Sequence, residues 1–409
     1  MASLGEIYIG GSEGSPYSSI VYNSGVSFAL DSPSKISQVY KFEKERWEVE
    51  VKKDQSIIIA RAQTDLTPQE TLNQGYNRCQ YFLDILSVKK IMDTEMKNIA
   101  NSYIIHFKEG KKHVLRIFSS SQLKFNATGT ITVIRDGKEV PSQPNPEPEW
   151  IPAFRYYRLS QTSNNLYEAY RNLFLSFEAI LSNIVPIHKR KNGKNKEGES
   201  DWLKRALKEI NTKISLSDYV PKNTSNPIDY FVDQQYPIRC DLFHAKGSNC
   251  ILPFSEIEIS NIANAYEYLH RLWKKITNVY FYVPNSGGSF TIAGFKDLTN
   301  GVFSEGFEML AVDDPNMPQI TDKECNLGGY PEISFSNYSL DNISLPDGII
   351  AKGNIEGEIL AEVNYLYKFC LLSENNLFMF KFFEDGITLM GTDKMECWFS
   401  VRLKSNDLP

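Results

Sequence analysis

LYEAYRNLFLSFEAILSNI, residues 166–184, decides the character of the middle of this chain. Leu166, Tyr170, Leu173, Phe174, Phe177, Ile180, Leu181 and Ile184 recur at steps of three and four. They therefore share one broad face of a helix about five turns long. Pro186 ends the run. Downstream, a polar loop, HKRKNGKNKEGES from His188, leads to a second helix. Ser200 is its expected cap, and Trp202, Leu203, Ala206, Leu207 and Ile210 point inward. Asn226, just before Pro227, caps a third helix that Pro237 kinks or restarts and Gly247 ends. A fourth runs from about Ser255 to Asn278, its inner side carrying Ile259, Ile262, Ala263, Tyr266, Leu269, Leu272, Trp273 and Ile276. Four helices in so short a stretch predict a bundle.

Upstream lies a break. Prolines at 141, 144, 146, 148 and 152 prevent regular structure and predict an extended linker. Before it the signals are mixed. Trp47, Val49 and Val51 alternate with Glu48 and Glu50, as in a half-buried strand, and Ile57–Ile59 is a second candidate. Thr67-Pro68-Gln69-Glu70 reads as a capping box with proline at the first helical position. Leu72, Tyr76, Cys79, Phe82, Leu83 and Leu86 follow at helical spacing. Strands are expected at Tyr103–Phe107, Val114–Phe118 and Ile131–Arg135, the last running into the hairpin signal Asp136-Gly137. After residue 280, short apolar runs are punctuated by Gly-rich turns, and Leu377–Phe383 and Trp398–Leu403 read as strands. The expected fold class is α+β in three domains. A mixed, β-rich N-terminal domain with one helix spans 1–150. A four-helix bundle spans 151–280, and an acidic antiparallel β-sandwich-like domain spans 281–409.

The 409 residues are 42% hydrophobic and 23% charged, a globular composition with ample apolar material for several cores. No apolar run reaches the roughly 18 residues of a membrane span. The start, MASLGEIYIGGSEGSP, lacks the basic and apolar regions of a signal peptide. A cytoplasmic location and no membrane association are expected, so the sequons at Asn126, Asn223, Asn337 and Asn342 carry no meaning. The six cysteines form no CxxC pair and no zinc-ligand spacing, which predicts reduced, buried thiols and no metal or cofactor. Net charge is −6 but uneven: 0 over residues 1–150, +5 over 151–280 and −11 over 281–409. A basic middle points to a polyanion partner for that part of the chain. No phosphate-binding loop, nucleophile elbow or HExxH is present, against the common NTPase, hydrolase and metalloprotease classes.

Of five histidines, His106, His113, His188 and His270 read as structural or surface residues. His244 differs. It sits in YPIRCDLFHAKG, five residues after Arg239, between Pro237 and Gly247. On an ideal helix that spacing puts the two side chains roughly 140° apart, so convergence needs a distorted helix end. Asp241 can orient either residue, and Lys246 can contact a phosphate or simply favour the helix end. Lys189, Arg190 and Lys191, with Lys194 and Lys196, can grip an RNA backbone or form a solvated loop. Phe154-Arg155-Tyr156-Tyr157-Arg158 interleaves aromatic and basic residues, as base-stacking surfaces do, but also as a packed helix start does.

Arg239-Cys240-Asp241-Leu242-Phe243-His244 fits an Arg-x(4–6)-His motif. In its helical context it resembles the HEPN superfamily. The run NPIDYFVDQQYPIRCDLFHAKGSNCILP is similar to the Apea-like and MauJ-like HEPN group in particular. The resemblance covers about 125 of the 409 residues. It implies a metal-independent endoribonuclease that dimerises, or forms a higher homo-oligomer, through the helical domain and brings two Arg/His pairs into one cleft. Arg239 would hold the scissile phosphate. His244 would act as general base or acid, leaving 2′,3′-cyclic phosphate and 5′-hydroxyl ends. A toxin or anti-phage defence role, with RNA as substrate and a phage-derived trigger, is the implied biology. The alternative is a non-catalytic HEPN module that dimerises or binds RNA or a partner; Cys240 directly after Arg239 favours it. A β-domain ligand-binding protein with a helical spacer ranks third.

Overall fold

A computed structural model describes residues 2–11, 20–97, 102–123, 133–135, 138–140, 148–163, 165–189, 197–243, 251, 256–283, 301, 303, 306–312, 332–342, 349–357, 360, 363, 365–373 and 376–403. In chain order the first part holds β1 (Ala2–Leu4), β2 (Ile7–Gly10), β3 (Ser24–Ala29), β4 (Gln38–Phe42), β5 (Trp47–Val51), β6 (Ile57–Ala62), α1 (Pro68–Val88), β7 (Ser102–Glu109) and β8 (Lys112–Leu123). A small hairpin follows, β9 (Val133–Arg135) with β10 (Lys138–Val140), on either side of the Asp136-Gly137 turn signal. Then come α2 (Pro152–Thr162), α3 (Leu166–Ile184), α4 (Glu199–Asn211), α5 (Pro227–Tyr230), α6 (Tyr236–Phe243) and α7 (Glu256–Phe281). The last part is β11 (Glu308–Val312), β12 (Glu332–Ser334), β13 (Ser336–Asn342), β14 (Ile349–Glu356), β15 (Tyr365–Ser373), β16 (Asn376–Leu389) and β17 (Lys394–Leu403).

The expected fold class is overturned. No central four-helix bundle stands between two independent β-rich domains; the two ends of the chain build two sheets together. A six-stranded sheet runs β12-β11-β15-β16-β1-β2, and a nine-stranded sheet runs β13-β14-β17-β8-β7-β3-β6-β5-β4. β1 pairs antiparallel with β16 near the other end of the chain. β8 pairs in parallel with β17, from Val114 opposite Lys394 to Leu123 opposite Leu403. Parallel neighbours need a long crossover, and the connection here includes the whole helical segment. Met1–Lys124 and Phe290–Lys404 accordingly form one compact unit and Phe125–Ser289 the body of another.

The β unit is a sandwich. Ile7, Ile9, Met309, Leu366, Phe369, Leu371 and Ile387 of one sheet meet Ile59, Ile104, Leu115, Ile117, Ala351, Met395, Cys397 and Phe399 of the other in a shared core. Alternation along β14 and β17 gives each strand one buried face. The opposite face of the nine-stranded sheet is covered at the β3-β6-β5 end by α1. The Thr67–Glu70 capping box forms as expected: Glu70 N–H donates to the Thr67 hydroxyl at 3.2 Å and Thr67 N–H to the Glu70 carboxylate at 3.0 Å. Tyr76, Cys79, Phe82, Leu83 and Leu86 are its buried face. Gly75 lets the helix approach. A Cβ there would lie 2.2 Å from Val26 Cγ1, so something must shift. Gly75→Ala is therefore expected to destabilise the unit by about 1–3 kcal/mol through overpacking, outweighing the ~1 kcal/mol gain in helix propensity. A urea midpoint at or above wild type would contradict this.

His106 and His113 are structural, as their strand positions predict. His106 on β7 is fully buried, its Nε2 lies 3.2 Å from His113 Nδ1, and the two rings stack at 5.2 Å. Gly10 packs against the imidazole so closely that a Cβ would sit 2.2 Å from His106 Nδ1. Burial first, then neighbouring His113 and Lys108, hold the His106 pKa down at about 3. The unfolded value is about 6.5, so the folded state binds the proton less readily. Stability tied to His106 is thus present above pH ~6.5 and lost as pH falls towards 3. Equilibrium unfolding between pH 7 and 4 is expected to show a shallower acid loss for His106→Leu than for wild type; equal slopes would refute the assignment.

In the helical unit, one core gathers Tyr170, Leu173, Phe174, Phe177, Ile180 and Leu181 of α3, Trp202, Leu203, Leu207 and Ile210 of α4, and Ile262, Tyr266, Leu269, Leu272, Trp273 and Ile276 of α7. These are the residues the sequence periodicity selects. The helices differ from expectation in number and ends. α2, not expected as a separate helix, packs on α3, with Tyr157 stacked on Trp273 at 3.8 Å. Phe154 and Tyr157 face the core while Arg155, Tyr156 and Arg158 are exposed, so the aromatic-basic run divides between two faces. Gly198, not Ser200, precedes α4, and Ser200 lies inside the helix. Asn226 does cap α5, accepting from Ile228 N–H at 3.1 Å.

Between α5 and α6, residues Phe231–Gln235 form one π-helical turn, and Tyr236 N–H bonds to the Phe231 carbonyl. Pro237 has no N–H to offer the carbonyl four residues back, and the ladder widens just before it. Gln235 anchors this turn. Its amide donates to Tyr230 Oη at 3.2 Å and to the Ala265 carbonyl of α7 at 3.1 Å, and Tyr170 Oη of α3 donates to its carbonyl at 3.0 Å.

Candidate functional site around Arg239

The π turn sets the direction in which α6 presents its side chains. Arg239, four residues beyond Gln235, reaches back between α3 and α4, and its side chain is 14% exposed. Its Nη2 lies 3.5 Å from Glu178 Oε1 of α3 and its Nη1 lies 3.6 Å from Glu199 Oε2, the first residue of α4. The guanidinium carbon sits 5.6 Å from the Tyr236 ring centre and 4.9 Å from that of Phe243. Tyr236 Oη donates to the same Glu199 oxygen at 2.9 Å. Cys240 Sγ is 4.0 Å from Nη1.

These contacts are long for ionised partners, whose hydrogen bonds run to about 2.7–2.9 Å. The chain makes closer ones elsewhere. Arg61 bonds Glu50 at 2.7 Å and the Tyr8 carbonyl at 2.8 Å, and Arg205 bonds Glu197 through two nitrogens at 2.6 and 3.1 Å. Arg239 Nε has no hydrogen-bond partner among the described residues, and Arg61 Nε shares that state while its other nitrogens are closely held. Burial disfavours the Arg239 charge, but Glu178, Cys240 and Glu199 outweigh it and hold the group protonated. Burial pushes the Glu178 carboxyl above the usual carboxylate range, against the pull of Arg239. A raised carboxyl exchanges its proton closer to neutral pH than an ordinary one. Burial and the facing Glu199 likewise push the Tyr236 phenol up. Among the described residues the arrangement is a ring-lined guanidinium in long contacts, beside a carboxyl whose pKa burial raises.

Of the residues expected to act, Arg239 is central. Asp241 is half-buried on α6, its carbonyl accepting from Ile251 N–H at 3.1 Å. Among the described residues, the carboxylates at ion-pair distance from Arg239 are Glu178 and Glu199, so Asp241 is not what orients it. Lys189 is exposed beyond the end of α3. His244, Lys246, Arg190 and Lys191 lie outside the described residues. Sequence reading missed Glu178, Glu199 and Tyr236. Glu178 had a visible signal: it is an acidic residue inside the apolar run of α3, between Phe177 and Ala179. Glu199 had none, because its role depends on how α4 packs beside α6. No three of His, Cys, Asp and Glu are grouped as metal ligands among the described residues. No helix among them is long and apolar enough to cross a membrane.

No family model matches the chain, and no curated protein or solved structure is significantly similar to it.

Proposed function

We propose that the helical unit is a metal-independent endoribonuclease of HEPN type, acting in the cytosol on RNA as a toxin or anti-phage effector released by a phage-derived trigger. The observation that supports this reading most is the state of Arg239. Its side chain is 14% exposed, and among the described residues it is held by long contacts. A guanidinium held in this way gains most from a bidentate phosphate. In the proposed reaction Arg239 holds the scissile phosphodiester and stabilises the charge that builds on it. His244, one residue past α6, moves the proton at the 2′-oxygen or the leaving 5′-oxygen, and the products carry 2′,3′-cyclic phosphate and 5′-hydroxyl ends. The reading includes a homodimer, or a higher homo-oligomer, that brings two such pairs together. Lys189, Arg190, Lys191 and Lys246 are proposed to contact the RNA backbone.

A second reading has its own support. Arg239 faces two carboxylates, and Cys240 follows it directly, which suits a non-catalytic HEPN module that binds RNA or a partner. Purified protein incubated with single-stranded RNA in EDTA separates the two. Cleavage that disappears in both Arg239→Ala and His244→Ala supports the nuclease. Cleavage equal in wild type and His244→Ala sinks it.

A further inference from the structure

We infer that Arg239 and Tyr236 form a seat for a phosphodiester anion that the Glu199 carboxylate fills in the free protein, so that RNA binds by displacing Glu199. This deepens the proposed function and rests on it only for the identity of the anion. The seat has two kinds of donor. Nη1 of Arg239 lies 3.6 Å from Glu199 Oε2, and Tyr236 Oη donates to the same oxygen at 2.9 Å. One carboxylate oxygen between a guanidinium and a phenol is the position that a non-bridging phosphate oxygen would take. The two carboxylates differ in how freely they can leave. Glu178 is 20% exposed and stands in the interior of α3, beside its buried residue Phe177. Glu199 is 56% exposed and stands on the first residue of α4, with Gly198 as the residue before it.

Charge favours the exchange. A phosphodiester added beside Glu199 would meet the like charge of that carboxylate at close range. Replacing Glu199 avoids that repulsion and shortens the contacts, because a phosphate can face Arg239 with two oxygens.

The experiment measures binding of a fluorescent single-stranded RNA 12-mer in EDTA by anisotropy, in a His244→Ala background so that cleavage does not intervene. Glu199→Gln keeps shape and removes the charge. It is expected to lower Kd by roughly two- to fivefold, the range an exposed ion pair commands. The gain is expected to vanish when Arg239 is also changed to Gln. An unchanged or weaker affinity for Glu199→Gln overturns the inference. So does a gain that persists without Arg239, since it would be a general charge effect. The outcomes separate from those of the proposed function. Cleavage that needs Arg239 and His244, with no gain from Glu199→Gln, removes the seat and leaves the nuclease. An Arg239-dependent gain without any cleavage by wild type removes the nuclease and leaves the seat.

Discussion

Arg61→Ala is expected to cost the β unit about 3–5 kcal/mol at neutral pH, the range for removing one partner of a buried ion pair. Arg61 projects from β6, with its side chain 7% exposed. It bonds Glu50 at 2.7 Å, Glu48 at 3.2 Å and the Tyr8 carbonyl at 2.8 Å, and the Tyr22 ring lies 4.9 Å from its guanidinium carbon. Glu48 and Glu50 alternate with Trp47, Val49 and Val51, so both carboxylates stand on one face of β5. Without the guanidinium they face each other buried, with Lys41 left as a 3.3 Å partner to Glu48 alone. The deficit is expected to depend on pH. Burial pushes the Glu48 carboxyl up, but the Tyr22 hydroxyl, Arg61 and Lys41 together bring it below its ordinary value. A folded pKa below the unfolded one contributes stability that is present above the unfolded value and lost as pH falls through the folded one. In Arg61→Ala the part of that contribution supplied by Arg61 is already gone, so the deficit of the variant shrinks as pH falls below about 4.5, the ordinary value for the group. Urea unfolding at pH 7 and pH 4 measures this. A deficit under about 1 kcal/mol at pH 7, or one that does not shrink at pH 4, would show that the cluster is not a closed ion pair network.

Several elements of this fold were legible locally. The Thr67–Glu70 box and the apolar stripe of α3 depend on interactions within a few residues and form as their patterns demand; Trp47–Val51 is the expected strand, but Glu48 is buried along with its apolar neighbours rather than facing solvent. The assembly was not legible for a definite reason. Period-2 alternation says that a strand has a buried face, not which strand lies beside it. Nothing in Trp398–Leu403 names Phe118–Leu123 as its parallel neighbour some 280 residues away. The uneven charge also misled. A neutral first part and a strongly acidic last part look like two domains, yet salt bridges such as Arg116–Glu396 at 2.7 Å and Lys112–Glu356 at 2.9 Å cross between them. The helical segment was read well in its apolar faces and poorly in its ends. Ser200 has the right chemistry for a cap, but the helix begins one residue earlier. At the candidate site, Arg239 was singled out because it lies five residues before His244, between Pro237 and Gly247, in a run that fits an Arg-x(4–6)-His motif. Glu199 was not, because an acidic residue at a helix start already has an ordinary explanation in the helix dipole.

On the proposed nuclease reading, Arg239→Ala is expected to lower RNA cleavage by about 10²–10³, the loss seen when one donor to developing charge is removed, and His244→Ala by about 10²–10⁴, the range of general acid-base catalysis. Arg239→Lys is expected to recover little. An ammonium is a point charge without the planar fork that meets two phosphate oxygens, and it lacks the flat face that rests between the Tyr236 and Phe243 rings. Stability should move far less than activity. Removing Arg239 leaves Glu178 buried, but burial already favours its protonated form, so the unpaired carboxyl can neutralise itself rather than persist as a buried charge. Near-wild-type melting with cleavage lost is therefore the signature of a group that acts on substrate. Parallel loss of both would mean that Arg239 serves to hold α6 against α3 and α4. The pH profile adds a discriminating test. If Glu178 titrates beside the bound phosphate, Glu178→Gln changes the profile of kcat as well as its height; if it only holds the guanidinium, the profile keeps its shape and KM rises.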